Sequence, residues 1–421
     1  MGGEGPTSIC GELYDYRGSH GVQCINLKDG RIESITEKPR GKHLDFTGSN
    51  KKIIPGLVDL HVHLRGLQLS YKEDENTGTL QALKAGITLV IDMPNTKPYI
   101  NTPETIREKL DALRDKSWTD YSIYSGIPPS KDHIEKTMKI GIAGYKAYPN
   151  DLAKTTILDN LLRTGNLLIV HPEYLSGLKM PEVEDIRSRG IIRDCYLESL
   201  SVELLASQGL KGRLHITHAS CPSTVKTAKQ TGYSVDVTPH HLFYDYNRTG
   251  CLNRVNPPLR SPEEAGKLIQ LVLDGLVDAF ASDHAPHSQH EKTEPLSCSP
   301  GFPWLPLWPW LVYSRLVKPG AIGLSEFLYY TSRGPAEILG LRDYGIIDYG
   351  ARANIVVFDP DYSWRFPGFW DSKHKLPIHF MESLHGIPEY VFVGGRLSWS
   401  INDGLLQRGT AINPFSRITS R

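Results

Sequence analysis

The sequence predicts an α/β protein, a (β/α)8, TIM-like barrel with a small composite β-subdomain formed by the N- and C-terminal segments. Three observations support this prediction. Eight short apolar segments in the middle of the chain alternate with helix-like segments, the order that eight parallel strands and their helices require. Six of the apolar segments end in histidine, lysine, aspartate or asparagine. Both chain ends hold short alternating segments broken by glycine, a pattern typical of antiparallel strands.

The two ends of the chain have the same character. Alternating apolar segments occur at 22–27 and 32–35, and similar segments occur at 353–358 and 390–397. Two β-rich ends that enclose a different middle indicate that the termini meet in one subdomain. The predicted division is 1–54 for its N-terminal part, 55–345 for the barrel and 346–421 for its C-terminal part.

Eight segments are predicted as barrel strands: 57–63, 87–93, 119–127, 144–148, 166–171, 213–218, 233–240 and 277–283. Helix-like segments lie between them. Segment 102–115 begins with a capping Thr102 followed by Pro103, and 261–275 begins in the same way with a Ser-Pro pair. Because barrel enzymes build their sites at the C-terminal ends of the strands, we expect the polar residues there to converge on one mouth.

Composition excludes several classes of partner. The 47 lysines and arginines balance the 47 aspartates and glutamates, so no overall charge favours a nucleic acid or a membrane surface. No segment approaches the length of a membrane span and the N-terminus lacks a signal-peptide pattern, so we expect a cytoplasmic protein. The six cysteines are scattered, with no Cys-x-x-Cys pair and no disulfide-like density, which fits a reducing compartment.

The first predicted strand is the most informative segment. It ends in the sequence DLHVHLR at 59–65. Side chains two residues apart on a strand share one face at a spacing of about 7 Å, so His61 and His63 are placed to bind one metal ion. Arg65 follows where the strand gives way to a loop, and a guanidinium there suits a substrate carboxylate.

The reactive side chains at the strand ends form a set. They are His61 and His63 on strand one, Asn95 after strand two, Lys146 on strand four, His171 on strand five, His218 on strand six and Asp283 on strand eight. Imidazole and carboxylate favour zinc or a similar divalent ion, and this set suits two ions. Two close ions need anionic bridges, so we hypothesise that carbon dioxide carboxylates Lys146 to a carbamate. Hydroxide would form the second bridge, with Asp283 as ligand and proton shuttle.

Read together, six segments resemble the dihydroorotase family of the cyclic amidohydrolase superfamily. They are DLHVHLR (59–65), MPNT (93–96), GYKAY (144–148), TPHHL (238–242), NPPLR (256–260) and ASDHAPH (281–287). The resemblance runs in order from residue 55 to about residue 303. The HxH and SDHAPH elements are shared across the superfamily, whereas Arg65 and the MPNT and NPPLR segments are more specific to dihydroorotases.

The resemblance implies a complete set of site residues. The metal ligands, divided between two ions with Lys146 as the bridge, would be His61 and His63 with Asp283 at one ion, and His171 and His218 at the other. The residues that bind substrate would be Arg65, Asn95 and His287 at a carboxylate and Asn256 at the pyrimidine ring. The resemblance also implies that Asp236 stands where relatives can place an acidic residue near an extra metal ion.

The reaction implied by the resemblance is the reversible closure of N-carbamoyl-L-aspartate to L-dihydroorotate plus water, a step of pyrimidine (UMP) biosynthesis. In the hydrolytic direction the metal-bridging hydroxide attacks the ring amide carbonyl, and Asp283 passes the proton to the departing nitrogen. The partner is therefore a small-molecule substrate. A homo-oligomer, or a complex with another pyrimidine-pathway enzyme, stays open.

Two other functions stay open. A sister cyclic amidohydrolase, such as a dihydropyrimidinase, hydantoinase or allantoinase, would use the same metals on an uncharged ring. Such a ring gives Arg65 no carboxylate to bind, which makes its burial costly. An inactive scaffold in a pyrimidine-pathway complex would have lost metal ligands, whereas this chain retains all six.

Several residues near the site have less specific expectations. The tryptophan-rich segment 304–310 is expected to pack in the core or at a subunit contact rather than to form a lid over the substrate. Segment 149–156 forms either a mobile loop over the site or an ordinary connection. The histidines expected to pack, or to orient the site without binding metal, are His215, His240, His241 and His284.

Overall fold

The computed structural model describes residues 6–175, 185–293, 298–365 and 383–416. In chain order its strands are β1 (Ser8–Asp15), β2 (Gly18–Lys28), β3 (Arg31–Thr36), β4 (His43–Asp45), β5 (Lys52–Pro55), β6 (Leu57–Val62), β7 (Ile87–Asp92), β8 (Asp120–Gly126), β9 (Gly144–Ala147), β10 (Leu168–Val170), β11 (Leu214–Ile216), β12 (Ser234–Val237), β13 (Ala279–Phe280), β14 (Ile355–Arg365), β15 (Ser383–Val393), β16 (Arg396–Ser400) and β17 (Leu405–Leu406). Its α-helices are α1 (Glu75–Lys84), α2 (Pro103–Lys116), α3 (Lys131–Met138), α4 (Thr155–Arg163), α5 (Ile186–Ile192), α6 (Cys195–Ser207), α7 (Pro222–Gln230), α8 (Pro239–Phe243), α9 (Pro262–Leu273), α10 (Trp308–Val312), α11 (Leu324–Leu328) and α12 (Gly334–Leu339). Within the described residues, no helix has both the length and the apolar character needed to cross a membrane.

Strands β6 to β13 form one parallel sheet in chain order, and this sheet is the predicted barrel. Every residue of β6, β7 and β8 is buried, because both faces of a parallel sheet are covered in this architecture. The first and last strands meet where Val62 and His284 form a parallel β-bridge and the His63 N–H donates to the His284 carbonyl at 2.7 Å. All eight predicted strands are confirmed, each shorter than the sequence pattern indicated.

The two helix starts predicted from capping residues are confirmed. At the start of α2, Thr102 Oγ1 accepts a hydrogen bond from the Thr105 N–H. At the start of α9, Ser261 Oγ accepts from the Glu264 N–H at 3.1 Å. Each cap satisfies an N–H group that the first turn of a helix leaves without an internal partner.

A second sheet joins the two ends of the chain. Its strands follow the order β17-β16-β15-β14-β5-β1-β2-β3, and β4 pairs with β1. The N-terminal and C-terminal parts meet between β5 and β14, which run antiparallel with Pro55 opposite Ile355. Ile53, Val357 and Phe392, from three neighbouring strands of this sheet, are fully buried in one apolar cluster. The predicted composite β-subdomain is therefore confirmed.

A buried carboxylate connects the barrel to the segments that follow it. Asp120, the first residue of β8, is fully buried and forms an ion pair with Arg352 Nη2 at 2.9 Å. It also accepts hydrogen bonds from Asn354 Nδ2, the Tyr344 hydroxyl and the Ile412 N–H, each at 2.8 Å. A single side chain of the barrel thus contacts four residues in the last fifth of the chain.

The tryptophan-rich segment belongs to the core. Trp304, Trp308 and Trp310 are all fully buried, and Trp310 Nε1–H donates to the Ala85 carbonyl at 3.1 Å. The ring of His240 stacks on Trp304. This confirms the expected core packing and excludes the alternative of a lid.

The segment after β9 is an ordinary strand-to-helix connection. A short 3-10 helix (Pro149–Asp151) follows the strand, and α4 begins at Thr155. The Asp151 carboxylate accepts from the Tyr148 N–H at 3.0 Å and from Lys154 Nζ at 2.8 Å. These bonds hold the connection against the end of the strand, which favours this alternative over a mobile loop.

The cysteines are paired, which corrects the expectation drawn from their spacing. Disulfide bonds join Cys10 to Cys24, Cys195 to Cys221 and Cys251 to Cys298, so no cysteine is free. The expectation was wrong because the fold brings together partners that lie 14, 26 and 47 residues apart in sequence. Proteins rich in disulfides occur in oxidising compartments and in the cytosol of hyperthermophilic organisms, so the cysteines do not indicate a reducing compartment.

We predict that Asp120→Asn strongly destabilises the fold. The substitution leaves the Arg352 guanidinium buried without its counter-charge, and breaking a buried ion pair from one side costs about 3–5 kcal/mol of unfolding free energy. The matched control is Asp348→Asn, which breaks a pair with Arg17 in which both side chains are partly exposed. Such pairs contribute at most about 1 kcal/mol. Denaturant unfolding measures both changes, and two equally small values would contradict the role of Asp120.

We also predict that the purified protein has no free thiols. When it is denatured without a reductant, Ellman's reagent should detect none, because all cysteines are in disulfide bonds. After reduction with dithiothreitol, all six cysteines should react. Six reactive thiols before reduction would show that the pairing does not form.

Candidate active site

The ten residues expected to form the site lie around one cavity. The cavity has a volume of about 360 Å³ and lies at the C-terminal ends of the barrel strands. Its lining includes His61, His63, Arg65, Asn95, Lys146, His171, His218, Asn256, Asp283 and His287. Tyr148, Leu175 and Arg193 form further parts of its wall. The topology thus brings together side chains from both ends of the barrel sequence.

His61, His63 and Asp283 form a compact group of metal-binding type. One donor atom of each lies within 4.8 Å of the others, and Nε2 of both histidines lies 3.2 Å from Asp283 Oδ1. Their Nδ1 atoms are engaged elsewhere, that of His61 with Thr217 Oγ1 at 2.7 Å and that of His63 with Asn95 Oδ1 at 2.5 Å. Both rings therefore turn Nε2 toward Asp283, the orientation that a shared metal ion requires.

His171 and His218 form a second imidazole pair, with ring centres 4.5 Å apart. The His218 ring centre also lies 5.0 Å from that of His61, so the pair is adjacent to the first group. The Glu173 carboxylate lies 2.6 Å from His171 Nε2 and orients that ring. Burial lowers the pKa of His171 and His218 below its usual value, so both rings are neutral at pH 7, the form that binds metal ions.

Lys146 is a buried amine between these groups. Its side chain is fully buried, and Nζ has no hydrogen-bond partner among the described residues. Burial lowers the pKa of Lys146 to about 7, although the charges of Asp283 and Asp236 favour the protonated form. A buried amine without a hydrogen-bond partner among the described residues is a group that a water molecule, an ion or a modification can satisfy. Together with the imidazoles and the carboxylate around it, this amine fits a site for divalent metal ions.

A guanidinium and an imidazole stand together beyond the end of β6. Arg65 is 5% exposed, and its Nη2 lies 3.1 Å from His287 Nε2. Burial and the nearby charge of Arg65 lower the pKa of His287, so its ring is neutral. Asn95 Oδ1 is hydrogen-bonded to His63 Nδ1, so the amide N–H groups of Asn95 are left as donors for a ligand. One positive charge with neighbouring N–H donors suits a carboxylate.

Three site residues have positive φ angles: 57° at Arg65, 44° at His218 and 47° at Asp283. Such angles cost energy for any residue other than glycine, and they concentrate at functional sites. Buried carboxylates hold the backbone there. Asp236 Oδ1 accepts from the His218 N–H at 2.7 Å, and Asp59 Oδ1 accepts at 3.2 Å from the N–H of the residue before Asp283. The strained positions are thus fixed by hydrogen bonds.

A buried lysine supports the backbone at Arg65. Lys109, on α2, is fully buried, and its Nζ donates to the Arg65 carbonyl at 2.9 Å. It forms ion pairs with Glu75 at 2.7 Å and with Asp92 at 2.9 Å. Asp92 in turn accepts from the Leu64 N–H at 2.8 Å. The Arg65 side chain therefore extends from backbone that is held at two successive residues.

Several residues of this site were not predicted from the sequence. Glu173 lies two positions after His171, and Asp59 lies two positions before His61. In each case the acid lies two residues from a candidate metal ligand, the spacing at which side chains share one face of a strand. That spacing is a sequence signal that could have identified both acids. Lys109 and Arg193 lie on or just after helices, away from the strand ends, so only the tertiary fold brings them to the site.

The remaining buried histidines pack around the site rather than line the cavity. The contacts are those of His215 Nε2 with Asp236 Oδ2 at 2.7 Å, of His241 Nε2 with the Pro257 carbonyl at 3.0 Å, of His284 Nδ1 with the Leu305 N–H at 3.3 Å and of the His240 ring with Trp304. Asp236 is likewise absent from the cavity lining. Its oxygens serve His215 and the His218 backbone, so its observed role is structural.

Comparison with known proteins gives a family and close sequence relatives. The family model described as "Amidohydrolase family" matches residues 53–398. A dihydroorotase from Aeropyrum pernix is 40% identical over 404 residues, which cover 92% of this chain and 93% of the relative. A dihydroorotase from Sulfolobus acidocaldarius is 38% identical over 395 residues, which cover 93% and 94%.

Solved structures with a similar fold are more distant in sequence. An L-hydantoinase (dihydropyrimidinase) from Arthrobacter aurescens matches with a TM-score of 0.86 at 21% identity, covering 96% of this chain and 97% of that one. A D-hydantoinase (dihydropyrimidinase) from a Thermus species matches with a TM-score of 0.85 at 19% identity, covering 98% and 100%. At these identities the likeness establishes the fold alone.

Proposed function

The chain belongs to the amidohydrolase family, and we propose that it is a dihydroorotase, which interconverts N-carbamoyl-L-aspartate and L-dihydroorotate in pyrimidine synthesis. The observation that supports this substrate is the buried Arg65 guanidinium in the same cavity as the group of His61, His63 and Asp283. A buried charge is costly without a counter-charge, and the carboxylate of either compound supplies one. The relatives named dihydroorotase, at 40% and 38% identity, agree with this assignment.

Two divalent metal ions, with zinc as the expected element, form part of this proposal. His61, His63 and Asp283 would hold one ion, and His171 and His218 would hold the other. When bound, such ions polarise a carbonyl group and lower the pKa of water toward about 7. The neutral imidazoles and the oriented Nε2 atoms of the first group support this assignment.

The proposed bridge between the two ions is Lys146 as a carbamate. Its buried Nζ, with a pKa of about 7, is partly deprotonated at neutral pH. The neutral nitrogen attacks the carbon of carbon dioxide and forms an N–C bond, while one C–O electron pair moves to oxygen and the surplus Nζ proton leaves to water. The product is an anion with two oxygen donors, which an amine cannot offer.

The proposed pose places the substrate carboxylate at Arg65, Asn95 and His287. Arg65 supplies the charge and Asn95 supplies N–H donors, while Asn256 contacts the ring. Asp283 then moves the proton. In hydrolysis its carboxylate takes a proton from the water that attacks the ring amide carbonyl and gives it to the ring nitrogen as the C–N bond breaks. In synthesis the same proton moves in the reverse direction.

A sister cyclic amidohydrolase is the second candidate, because it would use the same metal site on an uncharged ring. Solved structures described as hydantoinases share this fold, but their 19–21% identity supports the fold alone. An uncharged ring would leave the Arg65 charge buried without a counter-charge, so we place this alternative second. An inactive scaffold is disfavoured because all six proposed metal ligands, including Lys146, line the cavity.

The proposal includes a cytoplasmic location and a small-molecule substrate. Equal numbers of acidic and basic residues leave no overall charge for a polyanionic partner, so recognition is local to the cavity. Three disulfide bonds would be compatible with this location in a hyperthermophilic organism, because intracellular proteins of such organisms are rich in disulfides.

The test of function is turnover of the zinc-supplemented protein and of its Arg65→Met variant on L-dihydroorotate, dihydrouracil, hydantoin and allantoin. We expect the unaltered protein to prefer dihydroorotate strongly. The variant should lose about 100-fold or more in kcat/KM on dihydroorotate, because hydrogen bonds to charged groups contribute about 1.5–3 kcal/mol each. Turnover of the uncharged rings should change far less.

The uncharged substrates serve as the internal control for this variant. If the unaltered protein prefers an uncharged ring, it is a sister cyclic amidohydrolase, and the proposed metal site still applies. Equal losses on charged and uncharged rings would remove Arg65 from the role of carboxylate ligand.

Lys146→Ala should abolish turnover and reduce the metal content, because the proposed anionic bridge is lost. The control is Lys154→Ala, an exposed lysine on the connection after the same strand, which should retain both. Metal analysis of the purified variants and ¹³C NMR of the protein in labelled bicarbonate are the measurements. Short carboxylic acids should partly restore activity to Lys146→Ala. A fully active Lys146→Ala protein would refute the bridge.

A further inference from the structure

Arg193 connects the two halves of the cavity. It follows α5, is 9% exposed and lines the cavity wall. On one side its Nε donates to Glu173 Oε1 at 2.8 Å, and its Nη2 donates to Glu173 Oε2. On the other side its Nη1 donates to Asn256 Oδ1 at 2.6 Å. One planar guanidinium thus engages a carboxylate with two N–H groups and an amide with a third.

The carboxylate side of this network leads to the metal-binding residues. Glu173 is 1% exposed, and its Oε2 lies 2.6 Å from His171 Nε2. With Nε2 engaged, Nδ1 is the ring nitrogen of His171 left to bind a metal ion. The Arg193 guanidinium donates to both oxygens of Glu173 and so holds in place the carboxylate that orients the His171 ring.

The amide side of the network sets what Asn256 offers to a ligand. Its Oδ1 accepts from Arg193 and from Arg189 Nη2, so both guanidinium groups converge on one oxygen. The part of the Asn256 side chain left for the cavity is therefore its NH₂ group, a donor only. Such a group recognises a carbonyl oxygen of a ring and not a ring N–H.

The backbone of Arg193 is held independently of its side chain. Arg260 Nη1 donates to the Arg193 carbonyl, and Arg260 Nη2 pairs with Glu198 at 2.8 Å. Asn256 and Arg260 are the two ends of the NPPLR segment, so one segment holds Arg193 by both its guanidinium and its carbonyl. The disulfide bond of Cys195, two residues further on, anchors the same junction to α7.

We propose that Arg193 is a positioning residue that couples the orientation of the metal-binding His171 to the orientation of the ring-binding Asn256. Through Glu173 it fixes which imidazole nitrogen faces the metal ion, and through Asn256 it fixes which end of the amide faces the substrate. The substrate half of this inference rests on the proposed dihydroorotase function. The metal half does not, because it concerns zinc affinity alone.

The test compares Arg193→Met, Arg193→Lys, Glu173→Gln and Arg189→Met in the chain of 421 residues. Zinc affinity is measured by competition with a chromophoric chelator, and kcat and KM are measured on L-dihydroorotate. Arg193→Met should lower the affinity for the zinc ion proposed at His171 and His218 about 10- to 100-fold and also raise KM. Glu173→Gln should chiefly lower zinc affinity. Arg189→Met, the matched control that touches Asn256 but not Glu173, should raise KM and leave zinc affinity unchanged.

Arg193→Lys separates the two roles and serves if Arg193→Met fails to fold. A lysine restores the charge beside Glu173 but lacks the forked donor for Asn256, so zinc affinity should recover while KM stays high. Unchanged zinc affinity in both Arg193 variants would overturn the proposal, and so would equal zinc losses in Arg189→Met and Arg193→Met. If the unaltered protein does not turn over dihydroorotate, the expected zinc pattern still supports the metal half, and only the proposed function fails.

Discussion

Closure of the barrel between its first and last strands is the constraint on which the site depends. Asp59 Oδ1 accepts at 3.1 Å from the His61 N–H and at 3.2 Å from the Ser282 N–H, and so joins the two strand ends through one buried oxygen. This junction sets Asp283 beside His61 and His63, although more than 200 residues separate them in sequence. Because strand side chains alternate between faces, a slip of one residue at this junction would turn the histidines away from the aspartate.

Around this junction the protein buries several ion pairs between named side chains. Lys109 lies between Glu75 and Asp92, and Arg193 lies against Glu173. Buried ion pairs of this kind give little net stability, because desolvation offsets their attraction. Their effect here is positional. They hold backbone and rings in orientations that a purely apolar core would leave undetermined, and they do so directly behind the groups that face the cavity.

The sequence predicts the parts of this molecule that depend on local pattern. Eight apolar segments become eight strands, and polar residues at their ends, such as His171 and Asn95, reach the cavity because the topology of a parallel barrel leaves no other place for them. The residues that the sequence did not predict depend on contacts between distant segments. Arg193 meets Asn256 across a gap of 63 residues, and Cys251 meets Cys298 across 47. The periodicity of apolar residues in the sequence gives no information about contacts between residues so far apart in the chain.

The sheet that joins the two chain ends also sets the order in which the molecule is completed during synthesis. Strand β5 is made with the first 55 residues, but its partner β14 begins only at Ile355. At about 5–20 residues per second, a ribosome needs roughly 15–60 s to make the intervening chain of about 300 residues. Throughout that time one side of β5 is an unpaired strand edge, a surface on which other chains can add strands. Loss of the C-terminal strands would therefore leave one edge of β5 unpaired and exposed.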